Sequence, residues 1–249
     1  MASPVHQFEI RPLIPLSVGG VDISFSNSAL FMVIAVVVSS GFLILGMRGR
    51  DLVPGRWQSM VEVVYGFIAD MIRENVGKEG SRYFPFIFTL FMFVACGNLL
   101  GLLPYSVTFT SHLIVTGALA LTVFIGVTAI GFSRHGLHFL RLFFPHGAPI
   151  ATAPILIPIE LISYLSRPFS LGVRLFANMT VGHIMLKVLA GFVVAFIVKL
   201  GFFGGVVTGV VPMAAVVGVT VLEFGIAFLQ AYVFTILSCI YLNDAINMH

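Results

Sequence analysis

Residues 155–198 read ILIPIELISYLSRPFSLGVRLFANMTVGHIMLKVLAGFVVAFIV. As a single helix rising 1.5 Å per residue, this run of about 44 mostly apolar residues would be roughly 60–65 Å long, twice the ~30 Å of hydrocarbon in a bilayer. A second run, residues 201–242, has nearly the same length. Each is therefore either two short spans or one long helix tilted far from the membrane normal. Short spans would need a polar turn midway. The sequence offers only Pro168 in the first run and Pro212 in the second, and membrane helices tolerate both as kinks. The spacing thus predicts two long, strongly tilted helices that form a hairpin at the glycine-rich turn GFFGG, residues 201–205.

The rest of the chain agrees with a membrane setting. Of its 249 residues, 59% are hydrophobic and 9% charged, against about 25% charged in an ordinary soluble domain, and the mean hydropathy is +1.08. The net charge of +3 includes no basic cluster dense enough for nucleic acid. Residues 1–27, with Pro4, Pro12, Pro15 and Gly19-Gly20, suit an external N-terminal segment, and no signal-peptide pattern is present. Residues 28–47 make a first span. Arg48, Arg50 and Arg56 follow it and mark that end as cytoplasmic, so the N-terminus is expected outside.

Residues 57–75 carry Trp57, Met60, Val61, Val64, Phe67, Ile68 and Met71 at helical spacing, with Glu62, Asp70, Arg73 and Glu74 mostly opposite. That pattern predicts an amphipathic interfacial helix; a helix packed on a soluble neighbour is the alternative. Spans at 84–103 and 111–132 follow, joined by a short loop containing Pro104 and no basic residue. Arg134 and Arg141 then return the chain to the cytoplasmic side. The expectation is one all-α membrane domain over 1–249, with about five membrane-embedded helices, one interfacial helix and a cytoplasmic C-terminus.

Nearly all the intramembrane polar groups lie in the two long runs: Glu160, Arg167, Arg174, Asn178, His183 and Lys187 in the first, Glu223 and Gln230 in the second. A charge at mid-membrane costs at least about 2.5–3.5 kcal/mol, so such residues mark ion or proton pathways by default. At 100° per residue Glu160, Arg167 and Arg174 share a face, Asn178 lies one turn beyond, and His183 faces nearly the opposite way. Folding the hairpin about residues 202–203 levels His183 with Glu223, Arg174 with Gln230 and Glu160 with Asp244. Buried pairs that merely hold the hairpin together would also explain this.

The run SLGVRLFANM, residues 170–179, with Glu160 upstream and LQAYVFTIL at 229–237, resembles the signature of subunit a of the rotary, proton-driven ATP synthases. The similarity extends from the first span to the C-terminus. It implies a non-catalytic stator subunit whose partners are a ring of small two-helix c subunits, b-type subunits of a peripheral stalk, the remainder of the complex and the lipid bilayer. It further implies that Arg174 faces the ring carboxylates, favours their ionised form and separates two offset half-channels. An opposite charge within about 4–6 Å lowers a carboxyl pKa, and arginine alone is certain to stay charged there.

On that resemblance Glu160, with Ser163 and Tyr241, belongs to an inner half-channel, and His183 with Glu223 to an outer one. Asn178 and Gln230 accompany the pathway, with Ser170 and Asp244 as secondary candidates. The order His then Glu resembles mitochondrial and alphaproteobacterial relatives, and the pair favours proton over sodium. Lys187 either tunes the pair or snorkels. A bacterial plasma membrane is expected, an organelle's inner membrane being the alternative.

Other chemistries find little support. His135, His138 and His146 lack a nearby acid or cysteine for a metal site, Cys96 and Cys239 show no motif spacing, and no P-loop is present. No cofactor is called for. The competing reading is a self-contained, ion-coupled secondary transporter, which usually shows an internal repeat; none is visible, and five spans do not divide into halves. A purely structural anchor leaves Arg174 without a reason.

Overall fold

The structure, a computed structural model, describes residues 10, 12–15, 17–18, 21–22, 24–49, 53–103, 106–136, 138–139 and 152–247. Pro4, Gly19, Gly20, Arg50, Pro104, Arg141 and His146 lie outside the described residues.

The N-terminal segment forms two short antiparallel ladders, β1 (Pro12–Ile14) with β4 (Phe25–Ser26) and β2 (Ser17–Val18) with β3 (Val21–Asp22). Helix α1 (Asn27–Gly46) follows directly. Ser26 Oγ accepts the Ala29 backbone N–H at 3.2 Å, an N-cap contact of the kind worth about 1 kcal/mol. Helices α2 (Arg56–Asn75), α3 (Phe84–Gly101) and α4 (Leu113–His135) come next, with a 3₁₀ turn over Lys78–Tyr83 before α3. Pro85 sits in the first turn of α3, where a missing N–H costs nothing.

The last helical run, Ala153–Ile246, leaves helical geometry at one residue, Gly201 (φ 73, ψ 174). Positive φ favours glycine, so the reversal falls there, and the two arms are named α5 (Pro154–Gly201) and α6 (Val207–Ile246). The sequence places the turn across residues 201–205; the structure needs only Gly201, and the chain is helical again immediately after it. Pro168 and Pro212 stay within helical φ/ψ. Five helices, Asn27–Gly46, Lys78–Gly101, Leu113–His135, α5 and α6, are long and apolar enough to cross a membrane. The fold is the all-α membrane architecture expected.

The chain packs as two compact units, one of Met1–Gly41, Met92–His112 and Leu175–Ala231, the other of Phe42–Phe91, Leu113–Arg174 and Tyr232–His249. Both long helices contribute to each. In the first unit the arms of the hairpin meet at Gly205, where an added Cβ would lie 2.7 Å from Ile197 N and 2.9 Å from Phe196 O. Close approach of this kind is what small residues permit in membrane helices.

In the second unit α2 buries Val61, Ile68, Met71 and Ile72 while Trp57, Met60 and Val63 stay exposed. The apolar set read as one membrane-facing stripe is therefore divided. Val61, Ile68 and Met71 pack inside the protein and the rest remains open, although the exposed Tyr65 and Phe67 still meet Phe84 and Phe91 with ring centroids 4.6 and 6.0 Å apart.

Candidate functional site

In the second unit, Leu171 is 2% exposed and Gly172 is buried on α5. A Cβ at Gly172 would lie 3.2 Å from Thr116 O and 3.3 Å from Gly117 Cα, so this glycine lets α5 press against the backbone of α4. Two residues further along a helix the direction turns by about 200°, and Arg174 is accordingly exposed. Its Nη2 lies 3.5 Å from Ser170 Oγ, also exposed, at the outer limit of a hydrogen bond. No carboxylate among the described residues forms an ion pair with it. Elsewhere on the same unit's stretch of α5, Ile162, Leu165 and Phe169 are exposed apolar side chains.

The same unit holds a second cation. Arg167 Nη1 donates to Asp244 Oδ2 at 2.7 Å, and its guanidinium lies 5.6 Å from the Tyr164 ring centroid and 5.2 Å from that of Tyr241. Tyr164 in turn shares a 2.7 Å hydrogen bond with Thr128. This corrects the expected level: Asp244 stands opposite Arg167 and not Glu160, a displacement of about two helical turns along α5. A long, forked guanidinium with an acid and two rings in reach takes the position. Glu160 is half-buried and Ser163 exposed, and neither side chain has a hydrogen bond or ion pair among the described residues. His135 Nε2 lies 3.1 Å from Ile246 O, His138 is exposed, and no group able to hold a metal occurs among the described residues.

The first unit contains the other predicted residues. His183 Nδ1 lies 3.8 Å from Glu223 Oε1, as the hairpin register predicts, and Glu223 is 1% exposed. Gln230 Oε1 accepts from Asn178 Nδ2 at 2.8 Å, one turn along α5 from the residue the hairpin register gives it. Between Gly205 and Gln230 the chain advances by more residues on α6 than it retreats on α5, so a single sum of residue numbers cannot describe the register. Lys187 is exposed one turn past His183.

Several polar residues of this unit escaped the sequence reading. Thr108 Oγ1 lies 2.8 Å from His183 Nε2, Asn98 Nδ2 donates to Ala227 O at 3.1 Å, and Thr180 Oγ1 donates to Ser111 O at 3.4 Å. Asn98 alone had a usable signal, as an amide inside the apolar run of α3. Thr108 and Ser111 belong to a loop whose polarity looks ordinary. Among the described residues Asn98 Oδ1, Thr110 Oγ1, Ser111 Oγ, both Glu223 oxygens and Gln230 Nε2 are buried without a hydrogen bond. Such atoms are costly and rare in structural cores, and those named here lie in the unit that holds His183 and Glu223.

Residues 29–243 match the family described as ATP synthase A chain. The chain belongs to the ATP synthase subunit a family. An ATP synthase subunit a of Paramagnetospirillum magneticum is 68% identical over 252 residues, covering 100% of both chains. That of Rhodospirillum rubrum is 66% identical over 249 residues, again with 100% of each covered, and that of Mesorhizobium japonicum is 54% identical over 244 residues, with 98% of this chain and 96% of the relative covered. These subunit a relatives are bacterial, and the match runs through both units, so the long-helix residues described above lie inside the family's extent.

Proposed function

We propose that the chain is the proton-conducting stator subunit of an ATP synthase, offering two offset half-channels to the carboxylates of a ring of small two-helix subunits. Arg174 carries the reading. It is a permanent cation, exposed on a largely apolar helix, without an acidic partner among the described residues. A cation left so in hydrocarbon is unfavourable unless another chain supplies the negative charge. In the order of α5, Glu160 precedes Arg174 and His183 follows it. The first belongs to an inner pathway with Ser163 and Tyr241, the second to an outer one with Glu223.

Arg48 and Arg56 after the first span and Arg134 in the last turn of α4 support an external N-terminus and a cytoplasmic C-terminus in a bacterial plasma membrane. Peripheral-stalk b-type subunits complete the stator, and nucleotide chemistry belongs to other subunits. The test is purification of the intact complex from native membranes: the chain is expected to co-purify with a ring of small two-helix subunits. Isolation of the chain alone, competent for ion-coupled uptake of a solute after reconstitution, would replace this reading with the transporter.

The outer pair also depends on a glycine. A Cβ on Gly182 would lie 2.5 Å from Glu223 Oε1 and 3.0 Å from its Cδ. Because the carboxylate is the free end of its side chain, Gly182→Ala is expected to fold and to push Glu223 off its position beside His183. ATP-driven proton pumping in inverted vesicles should fall about tenfold, within the up to ~10²-fold that a 1 Å misplacement of a positioned group can cost, with normal assembly of the complex.

A further inference from the structure

Thr108 stands at the start of the 3₁₀ turn Phe109–Ser111, where its carbonyl accepts Ser111 N–H at 3.0 Å. The next residue anchors the turn: Phe109 is 1% exposed, its ring 5.2 Å from that of Phe93, and it lies over Gly97, where any Cβ would collide with it. Gly101 makes a similar allowance for Thr108, since a Cβ there would lie 2.5 Å from Thr108 Oγ1. The hydroxyl is thus held by backbone and packing, not by its own rotamer preference.

That hydroxyl has one proton and two neighbours. Gly101 O is 3.1 Å away and His183 Nε2 is 2.8 Å away. A carbonyl oxygen only accepts. Both hydrogen bonds can therefore exist only if Thr108 donates to Gly101 O and accepts from a proton on Nε2. Ser106 Oγ is near the same carbonyl, at 2.8 Å, but lies 2.7 Å from Leu103 O as well, so its one proton has an acceptor of its own.

We propose that Thr108 is a positioning residue that fixes the His183 tautomer, leaving Nδ1, the nitrogen facing Glu223, as the only port through which this histidine takes up and returns a proton. The inference rests on the outer-pathway reading above. In neutral His183, Nε2 carries the hydrogen and Nδ1 presents a lone pair towards Glu223 Oε1. When the protonated Glu223 carboxyl gives its proton to Nδ1, the products are a carboxylate and an imidazolium, and the reverse step restores both neutral groups. Nε2–H donates to Thr108 in either state, so no rearrangement accompanies the exchange. Passage through the ring to Thr108 ends at Gly101 O, which cannot carry a proton onward. The 3.8 Å gap from Nδ1 to Oε1 is closed during transfer by side-chain approach or by one bridging water.

The experiment uses the intact complex in native membranes with 15N-labelled histidine, the His183 resonances being identified by their loss in His183→Gln. Neutral His183 is expected to show a protonated Nε2 and a bare Nδ1. Thr108→Val, similar in shape and unable to accept, should populate the Nδ1–H form and lower ATP-driven proton pumping about tenfold, the scale of one hydrogen bond; Thr108→Ser should restore both. A protonated Nδ1 in neutral, unsubstituted His183 overturns the proposal, and so does a Thr108→Val complex unchanged in tautomer and flux. If Thr108→Val fails to assemble, the unsubstituted tautomer still decides. Normal pumping by His183→Gln would instead remove the outer-pathway reading itself, whereas lost pumping there with normal pumping in Thr108→Val removes only this inference.

Discussion

Replacing Arg174 with alanine is expected to abolish ATP-driven proton pumping and proton-driven ATP synthesis together, with both falling below detection in inverted vesicles. Passive proton leak should rise in the same preparation. The expectation follows from the position of the side chain: exposed on α5, 3.5 Å from Ser170 Oγ, and not ion-paired with any described carboxylate. On the proposed stator reading, a guanidinium so placed would hold a passing carboxylate in its ionised form and keep a proton from jumping directly between the two pathways. Arg174→Lys should also fail in synthesis. A lysine loses its proton far more readily when desolvated, and its single ammonium cannot match the planar fork. Because Gly172 and Leu171 on the buried side of α5 are untouched, both variants should assemble at normal levels, which immunodetection of the complex checks. Coupled pumping by Arg174→Ala would show that the charge serves only structure.

The proposed outer pair, His183 with Glu223, is expected to give the next largest effect. His183→Ala and Glu223→Ala are each expected to lower proton flux by roughly 10²-fold, the low end of what a positioned acid–base group contributes, with the complex still assembled. The exchange His183→Glu with Glu223→His should recover part of the flux, because the two side chains face each other at 3.8 Å and a relay needs one group of each kind more than it needs a particular order. Recovery also requires the exchanged groups to fit beside Gly182, so it should be incomplete. Two single variants with unaltered flux would leave the pair as a structural contact between the arms of the hairpin.

Both predictions use residues that were visible as chemistry before any coordinate. Arg174, His183 and Glu223 stand out because a charged or titratable group in an apolar run is costly, and the cost is a property of the sequence and its solvent alone. Asn98 carried the same kind of signal more weakly. Thr108 carried none, since a threonine in a polar loop is ordinary until the loop is folded against His183. The same limit explains the misplaced levels. Equal spacing about a hairpin centre assumes two straight helices advancing at one rate, which suffices near Gly201 for His183 with Glu223 and fails further along. There Gln230 meets Asn178, and Asp244 meets Arg167 in place of Glu160.

What the sequence determined by itself is the membrane setting, the long apolar runs, the break near residue 201, the family and the identity of the intramembrane charges. The family rests on the resemblance carried by residues 170–179 and 229–237; the others follow from local composition or from covalent spacing, since a 44-residue apolar run cannot be hidden in a soluble core, and a positive φ is cheapest at glycine. Only the tertiary structure decided which polar groups touch. It set Arg167 against Asp244, divided the apolar face of α2 between the protein interior and its exterior, turned Arg174 outward by burying Gly172 against α4, and brought Thr108 to His183. These are contacts between segments far apart in the chain, settled by close packing and by the angle at which helices meet, and no period or motif within one segment encodes them.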